Sequence, residues 1–253
     1  MSCGNSDKEW EKFGKDDPYF GVITHDKYHK SNLTDESKEE FFESGSNYVD
    51  EVIEKVRQRI DPNFTLKRAL DFGCGVGRLV IPLAKIAEEV TGVDVSDSML
   101  NEAKKNCETR SIKNAVFSKS DDSLSFLDGK YNFIHSFIVF QHIPVKRGER
   151  IFENLISRLD NEGVCVVHFT YVPEYNSTKI FSFIKRFVPL SGNFMNLIKG
   201  RKFFAPQMQM NAYELNQLLL TIHNTNVRSC YAEFTNHGGM RGIVLYFQKP
   251  GVD

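Results

Sequence analysis

From Arg68 onward the chain alternates short apolar runs with stretches of helical periodicity, and this alternation limits the fold more than any other feature. Parallel strands joined by crossover helices leave this pattern. The spacing predicts strands at Ala69–Phe72, Val90–Val95, Ala115–Ser118, Tyr131–Ile138 and Val164–Thr170. Between them, Leu79, Val80, Leu83, Ile86 and Ala87 recur at helical spacing, and Ser96 is placed to cap a helix carrying Met99, Leu100 and Ala103. A helix over Gly148–Leu159 is expected to end at Asn161-Glu162-Gly163, with the glycine supplying a left-handed turn. Asn211 to Glu214 has the form of a capping box opening a helix through Leu215, Leu218, Leu219 and Ile222. Strands at Val227–Phe234 and Gly242–Gln248, joined by His237-Gly238-Gly239, read as a closing antiparallel hairpin.

The first strand runs into Asp71-Phe72-Gly73-Cys74-Gly75-Val76-Gly77-Arg78 and then a helix. Glycines there permit a tight turn and bring backbone N–H groups against a ligand. Asp71 stands before the first glycine, where a carboxylate suits a cationic ammonium group better than a pyrophosphate. Asp94 ends the next strand, at the spacing of about 20 residues from which an acid reaches ribose hydroxyls. A nicotinamide-cofactor loop is the competing reading, but its pattern is G-x-G-x-x-G and the spacing here is G-x-G-x-G.

Composition removes several other classes. A net charge of −1 argues against a basic nucleic-acid binder, and the five scattered cysteines form no Cys-x-x-Cys pair or zinc-spaced cluster. No window approaches the roughly 20 apolar residues of a membrane span, and the polar start has no signal-peptide layout, so a cytoplasmic location is expected. Charge is unevenly placed: residues 1–50 hold twelve acids and six lysines, and residues 175–213 hold six basic residues and no acid.

The loop D-F-G-C-G-V-G resembles the cofactor loop of the class I S-adenosylmethionine (SAM)-dependent methyltransferases, and the resemblance extends over about Arg68 to Gln248. It implies an α/β, Rossmann-like fold with a seven-stranded mixed sheet in a methyltransferase domain over 61–253; residues 1–60 read from their own helical, polar pattern as an N-terminal helical lid, and 173–210, too long for an ordinary connection, as an inserted cap. It implies SAM as cofactor and S-adenosylhomocysteine (SAH) as product. Cofactor contacts are expected from Asp71, Phe72, Gly73, Cys74, Gly75, Gly77, Arg78, Asp94, Val95, Met99, Asp121 and Phe137. Asn132 stands where the family usually has Asp, a departure from its pattern.

The stretch Ser136 to Pro144 resembles the family segment that borders the transferred methyl group, making His142 the catalytic candidate, as a base for a hydroxyl acceptor. A structural histidine bonded to backbone is the other reading of His142. Acceptor contacts are expected from Tyr19, His25, Tyr28, Gln141, Tyr171 and His237, while Trp10 and Phe20 are expected to pack the extra helices on the sheet. The expected reaction is O-methylation of a sugar, glycan-linked or small secondary-metabolite hydroxyl. N-methylation of an amino sugar and a SAM-binding, non-catalytic regulator or assembly subunit stay open. The basic and aromatic stretch 179–204 has three readings: a substrate cap, a dimer surface, or a contact with a membrane surface or lipid-linked substrate.

Overall fold

The computed structural model describes residues 4–172, 208–237 and 239–251. The insertion expected at 173–210 therefore lies outside the described residues except for its last three, as do the stretch 179–204 and Gly238 of the hairpin turn.

Among the described residues, three α-helices precede the sheet, α1 (Gly4–Asp16), α2 (Pro18–Val22) and α3 (Asp35–Arg59), with a 3-10 turn at Asp26–Tyr28 between the last two. α3 starts at Thr34, whose hydroxyl accepts from Ser37 N–H at 3.1 Å while Ser37 Oγ accepts from Thr34 N–H at 2.9 Å. Such a reciprocal cap is worth about 1 kcal/mol. The apolar stripe Phe41, Phe42, Val49, Val52, Ile53 and Val56 is buried, as its helical spacing predicts. It joins one core cluster with Ala69, Val90, Phe133, Val164 and Val166 of the sheet. The N-terminal helices thus share a core with the sheet, and no core boundary falls at residue 60.

The sheet follows in chain order as β1 (Arg68–Phe72), α4 (Val80–Ile86), β2 (Glu89–Asp94), α5 (Asp97–Thr109), β3 (Ala115–Lys119), β4 (Tyr131–Ser136), α6 (Val145–Ser157), β5 (Leu159–Val172), α7 (Leu215–His223), β6 (Cys230–His237) and β7 (Met240–Gln248). Its seven strands lie in the order β3-β2-β1-β4-β5-β7-β6. The first five are parallel, and β7 pairs antiparallel with both β5 and β6. Strand order reverses between β1 and β4, which puts the ligand crevice of such a sheet at the carboxyl ends of these strands.

Three local expectations are overturned. β4 ends at Ser136, because Ile138 has φ 59°, a region that a β-branched residue adopts only under strain. Glu162, not Gly163, takes the left-handed turn, at φ 57°. Gly163 serves close approach instead, since a Cβ there would meet Asp160 O at 2.9 Å. The capping box at Asn211 does not form: α7 starts after Glu214 without a side-chain cap. Asn211 donates its side-chain N–H to Gln141 O at 3.0 Å, a tertiary bond that a local pattern cannot reveal.

Candidate active site

The glycine loop is held from below by β2. Gly73 and Cys74 N–H donate to Val93 O at 2.8 and 3.0 Å, and Gly75 N–H donates to Asp94 Oδ2 at 3.0 Å. Asp94 Oδ1 accepts from Ser96 N–H at 2.9 Å, so this one carboxylate ties the loop to the start of α5. Burial pushes the Asp94 carboxyl up to about 6, against the lowering effect of the Ser96, Gly75 and Val95 N–H groups. Gly73, Gly75 and Gly77 have φ of 77°, 52° and 85°, and a Cβ on Gly75 would meet Val22 of α2 at 2.7 Å.

Asp71 is buried at 2% exposure and accepts from His135 Nδ1 at 2.9 Å; His135 Nε2 in turn accepts from the Tyr48 hydroxyl at 3.1 Å. His135 and Tyr48 are functional candidates that motif reading misses. His135 sits opposite Asp71 in the β1–β4 register, a neighbour that strand pairing alone supplies. Arg78 lies beside them, its guanidinium 6.0 Å from the Tyr48 ring. Burial pushes the Arg78 pKa down, while Tyr48 and Asp71 oppose the shift, and its buried Nε has no hydrogen-bond partner among the described residues. A buried carboxylate beside an unfilled guanidinium N–H fits the zwitterionic end of an amino acid, and Asp94 fits ribose hydroxyls. Asp71, Arg78 and Asp94 are thus suited to hold SAM.

Several expected cofactor contacts are redirected. Phe72 is buried on the opposite side of the sheet, 5.7 Å from Phe140 between ring centroids, so only its backbone lies at the loop. The Cys74 side chain is buried in the core and its thiol is pushed well up, chiefly by burial, which argues against a nucleophile. Met99 is buried beneath α2, where a Cβ on Gly21 would touch its Cε at 3.0 Å. Val95 is half-buried beside Asp94. Asp121 is exposed and accepts from Ser123 Oγ, Ser125 N–H and Ser125 Oγ, which fixes the turn after β3. Asn132 does what an Asp there could do and adds a donor: its Oδ1 accepts from Lys67 and Arg68 N–H, and its Nδ2 donates to Thr65 O at 2.8 Å.

The N-terminal segment lies across the mouth of this site. Glu11 accepts from Ser96 Oγ, Ser98 Oγ and Ser98 N–H at the start of α5; against the upward push of burial, these bonds hold its carboxyl at about 2. Arg147 of α6 donates to both oxygens of Asp7 and to Asp122, pinning α1 to the loop after β3. Tyr19 is 4% exposed, and its hydroxyl lies 2.9 Å from both Glu102 Oε1 and Asn106 Oδ1 of α5. Tyr28 is likewise buried, packed on Phe41 at 5.2 Å. His25 is exposed, and its Nδ1 accepts from Lys27 N–H as a local cap. Phe20 stacks on His29 at 3.7 Å, and Trp10 meets the His142 ring edge-on at 4.9 Å.

His142 is engaged on both nitrogens. Nδ1–H donates to Gln209 O at 2.8 Å, leaving Nε2 to accept from the Gln141 amide at 3.2 Å. Gln141 Oε1 accepts from Thr170 Oγ1 at 2.8 Å, which fixes the amide's orientation. Burial pushes His142 down to about 4, so the ring is neutral near pH 7. Phe137 lies 4.3 Å from Tyr48, with His168 and His237 at its edges; Tyr171 packs near Phe234 at 6.2 Å.

A sheet of this order, with an acid–glycine loop after β1 and a second acid ending β2, defines the class I SAM-dependent methyltransferase fold. Residues 69–163 match the family model for a methyltransferase domain. The chain is 35% identical over 91 residues to magnesium-protoporphyrin O-methyltransferase of Synechocystis, covering 36% of this chain and 39% of that protein. It is 31% identical over 114 residues to the ubiquinone biosynthesis O-methyltransferase of Coxiella burnetii, covering 39% and 48%. These matches span less than half the length of those relatives. The Synechocystis magnesium protoporphyrin IX methyltransferase with bound SAM superposes with a TM-score of 0.62 at 17% identity, over 98% of this chain and 99% of that one. The N-methyltransferase NodS of Bradyrhizobium japonicum with SAH superposes with a TM-score of 0.60 at 10% identity, over 97% and 99%. Over residues 69–163 the chain is thus similar to methyltransferase domains, and it shares the fold of methyltransferases solved with SAM or SAH. No helix among the described residues is long and apolar enough to cross a membrane.

Proposed function

We propose that the chain transfers the methyl group of SAM to the oxygen of a small-molecule acceptor. The observation that carries this reading is the Asp94 carboxylate bound to Gly75 N–H, together with buried Asp71 and with Arg78, whose buried Nε has no hydrogen-bond partner among the described residues. When bound, SAM supplies an electrophilic methyl group on a sulfonium that is itself the leaving group. The chain's own task is alignment and exclusion of water. Asp71 and Arg78 hold the amino-acid end, Asp94 holds the ribose, and α1 covers the mouth through Glu11 and Arg147. The matches to two O-methyltransferases of small molecules support oxygen as acceptor atom and a small molecule over a glycan.

His142 acts in this reading as a positioning residue. With both nitrogens engaged it orients Gln141 and the chain at Gln209 along the acceptor wall. His142→Ala is expected to slow transfer by about tenfold, the loss of one or two ordering hydrogen bonds, with SAH affinity kept within about twofold. His142→Asn is expected to keep the wild-type shape of the pH–rate profile. Loss of one limb of that profile would instead make His142 the base. Release of SAH from SAM with a panel of small hydroxyl compounds tests the reading as a whole. Tight SAM binding with no turnover on any phenol, alcohol or sugar in the panel would count against it.

A further inference from the structure

On the α3 side of the sheet, β5 and the closing hairpin bring together polar side chains that the cofactor loop does not use. His168 of β5 is 1% exposed; its Nε2 lies 2.9 Å from Thr235 Oγ1 on β6, and its Nδ1 is buried with no hydrogen-bond partner among the described residues. His237, at the end of β6, meets His168 edge-on with 5.4 Å between ring centroids, and its Nε2 is also buried without a partner. Phe137 lies 5.4 Å from His168 and 5.7 Å from His237, and Tyr48 covers Phe137. Gly242 permits the arrangement: a Cβ there would meet His168 Nε2 at 2.3 Å and Thr235 Oγ1 at 2.5 Å.

Buried polar atoms in folded proteins are nearly always paired, so two imidazole nitrogens on adjacent rings that find no partner among the described residues point to a ligand. Burial pushes His168 down to about 3, with His237 and His142 adding to the shift, and burial also lowers His237. Both rings are therefore uncharged at neutral pH, which disfavours a carboxylate or phosphate. A neutral imidazole has one N–H and one lone pair, the complement of a hydroxyl group that both donates and accepts. The neighbouring rings of Phe137 and Tyr48 offer an apolar wall to a flat partner.

We propose that His168, His237 and Thr235 form the acceptor end of the site and bind the hydroxyl of a phenolic ring that lies against Phe137. This assignment rests on the methyltransferase reading above and adds the acceptor class to it. It moves the acceptor contacts from Tyr19 and Tyr28, which the fold buries elsewhere, to the end of β5 and the hairpin.

The test uses the full chain with ¹⁵N-labelled histidine, saturated with SAH, and catechol as the probe. Catechol is expected to shift the side-chain ¹⁵N resonances of His168 and His237, whereas benzoate and methyl glucoside leave them in place. His237→Gln and Thr235→Val, both at half-buried hairpin positions, are expected to weaken catechol binding by about tenfold with SAH binding unchanged. Unmoved imidazole resonances with SAH bound, an equal response to benzoate or methyl glucoside, or variants that bind catechol like the wild type would each overturn the assignment. Failure of the wild-type chain to bind SAH would overturn the methyltransferase reading beneath it, and the two failures are separately visible.

Discussion

Gly75→Val is expected to abolish measurable SAH binding in a chain that still folds. Three effects act at this position. Its φ of 52° is one that valine adopts only under strain, at a cost of about 1–3 kcal/mol. A Cβ would stand 2.7 Å from Val22, so α2 must lift from the loop. The Gly75 N–H to Asp94 bond that fixes the loop would be lost with the turn. Together these displace the loop from the position in which its backbone faces a ligand. Calorimetric titration with SAH, with circular dichroism as the check on folding, measures the outcome. Affinity within tenfold of the wild type would show that the loop does not line the cofactor site.

Asp94→Ala is expected to lower SAH affinity by about a hundredfold or more, because charge-assisted bonds to ribose and to two backbone donors disappear together, each worth about 1.5–3 kcal/mol. The same carboxyl sets a pH dependence. Its pKa is raised in the folded protein, to about 6, so its contribution to folding is fully present below the usual carboxylate value and is lost as pH rises through 6. Cofactor binding runs the other way: ribose hydroxyls donate to the ionised form, so affinity is full above pH 6 and declines as pH falls through it. Asp94→Asn is expected to bind weakly with little pH dependence over that range. A wild-type affinity flat from pH 7.5 to 5 would contradict the assignment of ribose to Asp94.

The strands are legible because short apolar runs separated by helical spacing leave direct marks in the sequence, whereas their order in the sheet is set by pairing between distant segments. The glycine loop was legible because positive φ demands glycine. What the sequence hides depends on contacts distant along the chain. Phe72 follows Asp71 in β1, and strand alternation sends the two side chains to opposite faces, so the Phe72 ring and the Asp71 carboxylate cannot both face one ligand. Tyr19 and Tyr28 look like lid aromatics by composition, but the position of α5 and Phe41 decides that they face inward. His135 and His168 sit in apolar strands where nothing local distinguishes a ligand-facing imidazole from a core one. Only the pairing of β4 with β1, and of β5 with the hairpin, brings Asp71 to the first and Thr235 and His237 to the second.

The central claim is that this site is built for SAM. Titration of the purified full chain with SAH and, separately, with NADP tests it most directly, because a nicotinamide cofactor is the competing occupant of a glycine loop that follows β1. A single saturable SAH site, lost in Gly75→Val, with no heat from NADP is the predicted result. Saturable NADP binding with none for SAH would contradict it.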